Sequence, residues 1–360
     1  MAYFQKLLLS LLVFTIAGCS FFSTKSNGGK NKFLQLIALV LFNATQQDLN
    51  NKLYKYIAGI PYSTPSTAQF VDPSNLNKTT KTKVVLIHGW DYEEKASDPI
   101  TSHDQKVANI LETWQTALGY YDLNISSVQD NYDFYTFTYR TANSVEFNGK
   151  NFIKHLNSAF TKDDKVILLA HSMGGLVSRT AVYDSANTND IIDYVVSLGT
   201  PYYGSPFSSS AYQESSGIIG DLAKFLTGTD GGKSLAHTNT GDGQISISGA
   251  SNDFLDSLNS QTGKDSIFYP YAGKLSSCSN AKSGTIFSQG CTALQSGTPQ
   301  FTESDGIVPV NSAQMSNKVT SNVTYKTDFD HSMLSFTIPS DTTLASQFFS
   351  EVIAKIDTLP

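Results

Sequence analysis

One short stretch constrains this chain more than any other. Residues 166–170, VILLA, form a continuous apolar run of strand length, and AHSMGG (170–175) follows at once, opening a helix-like segment that reaches about 184. A strand that turns into a helix within a residue leaves little room, so the positions two before and two after the turn must be small. Ala170 and Gly174 hold those positions around Ser172. The serine then stands at the strand end above a helix N-terminus, where the amide of Met173 has no carbonyl of its own helix to meet. A small-x-Ser-x-Gly pattern arises readily by chance in 360 residues; its place between a buried strand and a helix is what gives it weight. The competing reading is a serine that merely caps the helix.

The rest of the chain repeats the same alternation. Val84, Val85, Leu86 and Ile87 form another unbroken apolar run, ending in His88-Gly89-Trp90. In 104–118 the residues Val107, Ile110, Leu111, Trp114 and Leu118 fall on one helical face. The aromatic-rich 133–139 reads as a strand, 144–159 as a helix and 191–198 as a strand. Later, 266–271 and 322–326 resemble strands and 342–356 a closing helix, whereas 66–83 looks like a connecting segment. Strands without polar alternation, each followed by a helix, predict an α/β fold with a mostly parallel sheet covered on both faces. From about 204 to 243 Ser and Gly dominate around an apolar stretch at 218–226, as in a lid-like insertion over the sheet. One domain over 33–360 accounts for all of this.

Chemistry narrows the choice of partners for Ser172. A serine hydroxyl is a weak nucleophile at neutral pH and needs a histidine base, itself oriented by a carboxylate. Of the six histidines, His237 and His331 follow Ser172 without lying beside it. The chain order serine, acid, histidine, implied by the family resemblance given below, selects His331, the one that comes after a plausible acid loop, SDGIVP (304–309). Asp305 is the candidate acid. Asp328 and Asp330 are its rivals, but they stand so near His331 in sequence that reaching its far ring nitrogen needs an unusual turn. His237, within the insertion, reads as a surface histidine. His88 and His171 read as packing residues beside the turn.

At these residues the sequence resembles bacterial lipases and esterases of the α/β-hydrolase superfamily, AHSMGG being like the version in small Bacillus lipases. IHGW (87–90) resembles their HG motif, LGTP with Gly204-Ser205 their LGTP-x-x-GS stretch, SDGIVP their acid loop and DHS (330–332) their histidine loop. The resemblance covers roughly 83–335. It implies an α/β-hydrolase fold and a Ser172-Asp305-His331 triad, with the backbone amides of Trp90 and Met173 as the oxyanion hole. It implies an acyl-enzyme on Ser172 and an ester, expected to be a triacylglycerol, as substrate. A phospholipase, a lipid acyltransferase and an esterase of small esters are the rival enzymes; a non-catalytic surface lipoprotein is the rival of another class. The set needs no cofactor, and no acidic pair follows His331 in a place to hold calcium, so no metal is expected.

The N-terminus speaks to location. Lys6 precedes an apolar segment (7–17) too short to span a bilayer, and Ile16-Ala17-Gly18-Cys19 resembles the lipobox of bacterial lipoproteins. That reading makes 1–18 a signal peptide, Cys19 the acylated anchor to a membrane and 19–32, rich in Ser, Gly, Asn and Lys, a flexible tether. An ordinary signal peptide is the alternative. The apolar run 33–42 fits a buried helix, or less readily one at a membrane surface. With Cys19 acylated, Cys278 and Cys291 form an even pair, expected as a disulfide in an exported chain. The formal net charge of −6 and the lack of a basic run argue against nucleic acid as a partner.

Overall fold

The structure is a computed structural model. It describes residues 51–360 except 60–64, 77–78, 92–101, 210–211, 213–214, 216, 239–250, 298–299 and 316–321. The signal-like segment, Cys19, the tether and the apolar run 33–42 lie outside the described residues, as does part of the 204–243 insertion.

The apolar runs form the middle of an eight-stranded sheet. Its strands are β1 (Lys52–Tyr56), β2 (Phe70–Val71), β3 (Thr82–Ile87), β4 (Tyr132–Thr138), β5 (Val166–His171), β6 (Tyr194–Leu198), β7 (Phe268–Lys274) and β8 (Thr324–Thr327). They lie in the order β2-β1-β4-β3-β5-β6-β7-β8. β1 is antiparallel to both neighbours, and every pair from β4 to β8 is parallel. Side chains alternate across a strand, so an all-apolar run needs cover on both sides. In β3, Val85 and Ile87 join one core with Leu168 and Ala170 of β5, while Val84 and Leu86 join the other with Ile167 and Leu169.

Helices provide that cover. α1 (His103–Asp122) begins in a reciprocal cap between Ser102 and Gln105 and buries Val107, Ile110, Trp114 and Leu118, the face that its spacing predicts. α1 shares its core with the last helix, here numbered α7 (Thr342–Asp357), through residues such as Phe348, Val352 and Ile356. On the opposite face α2 (Val145–Ala159) and α3 (Met173–Tyr183) contribute Phe152, Leu156, Leu176 and Val177. Between β6 and β7 come α4 (Ile218–Thr227) and α5 (Asp253–Asn259), and between β7 and β8 comes α6 (Thr285–Ser296).

Two parts of the sheet differ from what the sequence announces. Residues 66–83 look like a connection, yet Phe70 and Val71 extend the sheet edge beside β1. β1 itself, KLYKY, carries two lysines and no apolar run; Lys55 lies within 3.1 Å of the Asp133 carboxylate on β4, which lets a charged residue sit in the sheet. The segment at 218–226 is helical, as its apolar spacing allows, and begins the part of the insertion that faces the sheet's carboxyl end.

Candidate active site

Ser172 sits in the turn between β5 and α3 with φ 52° and ψ −126°, a region that non-glycine residues rarely occupy and that costs roughly 1–3 kcal/mol. The strain is held by the surroundings. The Ser172 amide donates to Leu198 O on β6 at 2.9 Å, and Gly175 N donates to Ser172 O at 3.0 Å. A Cβ on Gly174 would stand 2.4 Å from Ile87 O and 2.6 Å from His88 O, so the helix can press against the end of β3 only with glycine there.

The structure brings Ser172, His331 and Asp305 into one chain of contacts. Ser172 Oγ lies 2.9 Å from His331 Nε2, and His331 Nδ1 lies 2.7 Å from Asp305 Oδ2. Asp305 is fully buried, and its other oxygen accepts amides from Ile307 at 2.9 Å and Val308 at 2.7 Å, which fixes the carboxylate's direction. The two loops are also bonded directly, His331 N donating to Asp305 O at 2.9 Å. Gly199, of the LGTP stretch, makes room for the pair. Its φ is +63°, and a Cβ would lie 3.1 Å from both Asp305 Oδ2 and His331 Nδ1.

The rival acids are engaged elsewhere. Asp328 Oδ1 accepts from Ser276 N, Ser276 Oγ and Asn280 Nδ2. Asp330, fully buried, accepts amides from Lys282 at 2.7 Å, Ser283 at 2.8 Å and Met333 at 3.0 Å. Those bonds tie the His331 loop to the segment after Cys278, and the disulfide Cys278–Cys291, with Cα atoms 5.4 Å apart, closes that segment onto α6.

Three other histidines, His88, His171 and His237, are buried. His88 stacks on Tyr139 with ring centroids 4.3 Å apart; its Nδ1 meets Gly89 O at 2.9 Å and its Nε2 accepts Tyr139 N–H at 3.3 Å. Burial pushes its pKa down to about 4. His171 is pushed down to about 3, first by burial and then by His331 beside it. His237, which reads as a surface residue, is instead 1 % exposed and packs against Phe301 with ring centroids 5.6 Å apart. The insertion folds back: Ser205 N bonds to Leu235 O and Thr238 N to Tyr203 O, which draws 235–238 inward.

Ser172 and His331 lie in the wall of a cleft of about 690 Å³. Trp90 is there too, while Met173 is buried as the first residue of α3. Most of the lining is apolar: Leu222, Phe225 and Leu226 come from α4, Ile286 and Phe287 from α6, and Ile307 from the Asp305 loop. Sequence reasoning passes over the α6 contribution, because 285–296 lies in a Ser/Gly-rich stretch with no strong apolar repeat.

The sequence profile of the PGAP1-like alpha/beta domain family matches residues 78–217, from before β3 to the start of α4. The strand order, the parallel β3-to-β8 core and the strained serine between β5 and α3 decide the fold. It is an α/β-hydrolase fold. Among solved structures, the mature form of Bacillus licheniformis lipase BlEst2 is 18% identical, with a TM-score of 0.48 over 78% of this chain and 94% of that one. The metagenomic carboxyl esterase MGS0156 is 14% identical, with a TM-score of 0.46 over 78% and 77% of the two chains. The Tle4-Tli4 complex gives 11% identity and a TM-score of 0.48 over 79% of this chain and 100% of that one. No curated protein sequence matches this one.

Proposed function

We propose that the protein is a serine hydrolase that cleaves carboxylic esters, with triacylglycerols as its substrate class. The contact chain from Ser172 through His331 to buried Asp305, at the wall of an apolar cleft, carries the reading. His331 Nε2 takes the Ser172 proton as Oγ attacks the ester carbonyl. The amides of Trp90 and Met173 stabilise the tetrahedral oxyanion, Met173 from the N-terminus of α3. His331 returns the proton to the leaving alcohol, and water releases the acyl group by the same steps. Asp305, already holding two amides, keeps the His331 ring aimed and balances its charged form.

Substrate class follows from the cleft. Its apolar lining suits an acyl chain, and a volume of about 690 Å³ is within the range of sites for drug-sized ligands. α4 supplies part of that lining yet leaves Ile218 39 % and Phe225 51 % exposed at the mouth. A helix with apolar residues on both the cleft and the solvent side acts here as a lid that settles on a lipid interface. Export as a lipoprotein acylated at Cys19 belongs to the same reading and places the enzyme beside such substrates; the Cys278–Cys291 disulfide supports an oxidising compartment.

Hydrolysis of a long-chain triacylglycerol, followed from dissolved to emulsified concentrations, tests it. The rate is expected to jump when an interface forms. No hydrolysis at any concentration would overturn the triacylglycerol assignment and leave a phospholipase or an esterase of small soluble esters.

A further inference from the structure

We infer that His171, the last residue of β5, is a positioning residue for His331, resting on the reading of Ser172 and His331 as nucleophile and base. His171 Nε2 lies 2.9 Å from the His331 carbonyl oxygen, across 160 positions of sequence. A carbonyl can only accept, so Nε2 carries the proton and donates. The amide of His331 is already given to Asp305 O at 2.9 Å. Both polar groups of the His331 peptide backbone are therefore tied, one to the acid's residue and one to the residue before the nucleophile.

This bond closes a ring: Ser172, His171, the His331 main chain, and the His331 ring back to Ser172 Oγ. The value of the ring lies in what turnover does to it. When Oγ is acylated and His331 has passed its proton to the leaving alcohol, Oγ has no proton left to give Nε2, and the Ser172–His331 hydrogen bond is gone. The His171 bond uses no reacting atom and persists, so the base stays in register for the water that must attack next. Geometry also demands a neutral donor here. The two imidazole rings lie 4.8 Å apart, tilted by 45°, and a second positive charge would oppose the imidazolium that forms on His331. His171 is 7 % exposed and stays neutral across the physiological range. Its other nitrogen, Nδ1, meets no hydrogen-bond partner among the described residues, so the bond to His331 is the polar contact this ring makes.

His171→Gln keeps an amide donor at similar reach, and His171→Phe keeps a ring without one. On a soluble p-nitrophenyl ester, His171→Phe is expected to lose about 10–100-fold in kcat with KM within about two-fold, the scale of a small misplacement of the base. His171→Gln is expected to stay within about three-fold. In proton NMR the low-field resonance of His331 Nδ1–H, bonded to Asp305, is expected to survive in His171→Gln and to broaden or vanish in His171→Phe. Equal kcat and an unchanged resonance in His171→Phe would overturn the inference, as would a folded His171→Gln that loses kcat and the resonance. Should His171→Phe fail to fold, His171→Gln decides by the same readouts. Failure of the wild-type protein to react with a fluorophosphonate at Ser172 would instead bring down the underlying reading, with the NMR comparison still judging the bond.

Discussion

His88 and His171 flank the strained serine, and burial above all holds both neutral. His88 Nε2 receives the Tyr139 amide, so a proton there would face another donor; His171 is buried against His331. In the unfolded chain both take a proton near 6.5, whereas folded they do so only at about 4 and about 3. Between those values the unfolded state binds more protons, so stability rises with pH there: it is full above about 7 and falls as the pH drops through 6 towards 4. Each histidine contributes about 1.4 kcal/mol per pH unit inside that window. Urea unfolding from pH 7 to pH 4.5 should show this slope, and His171→Gln should make it shallower by about one histidine's share; parallel slopes would contradict the assignment of His171 as buried and neutral. At this scale Ser172 was legible in the sequence because the turn's steric demand selects Ala170 and Gly174. Asp305 and His331 were legible because the chemistry requires an acid and a base, and the resemblance to the hydrolase motifs supplied their order along the chain. His237 was not, since exposure statistics say nothing of two backbone bonds that fold the insertion back over it.

Among elements, the segment from Cys278 through α6 does more than the sequence announces. It supplies Ile286 and Phe287 to the cleft and two amides to Asp330, next to His331. The disulfide closes this segment, and the chain-entropy account gives a loop of that size about 3 kcal/mol. Replacing both Cys278 and Cys291 by Ser should lower the urea-unfolding free energy by roughly that amount. A change under about 0.5 kcal/mol would show that the unfolded chain gains little from being released. Strands and helices around the sheet's centre were legible because burial on both faces forces unbroken apolar runs. β1 and β2 were not: β2 is a two-residue edge strand, and β1 carries lysines beside it, Lys55 being accommodated through Asp133, a partner far along the chain. α6 was hidden for a related reason, as packing against one wall needs only Cys291 and Leu294 deeply buried.

Across the whole molecule, the parallel sheet gathers residues that are distant in sequence at one end. Ser172 follows β5, Asp305 lies between β7 and β8, and His331 follows β8, so the carboxyl ends of the strands deliver all three to the cleft. The central claim is that this arrangement activates Ser172 as a nucleophile. Treating the folded protein with a fluorophosphonate and mapping the adduct by mass spectrometry tests it most directly. The account predicts one adduct, on Ser172, absent from Ser172→Ala together with all but a few ten-thousandths or less of the ester hydrolysis. An unreactive Ser172, or a Ser172→Ala protein that keeps most of its activity, would contradict it.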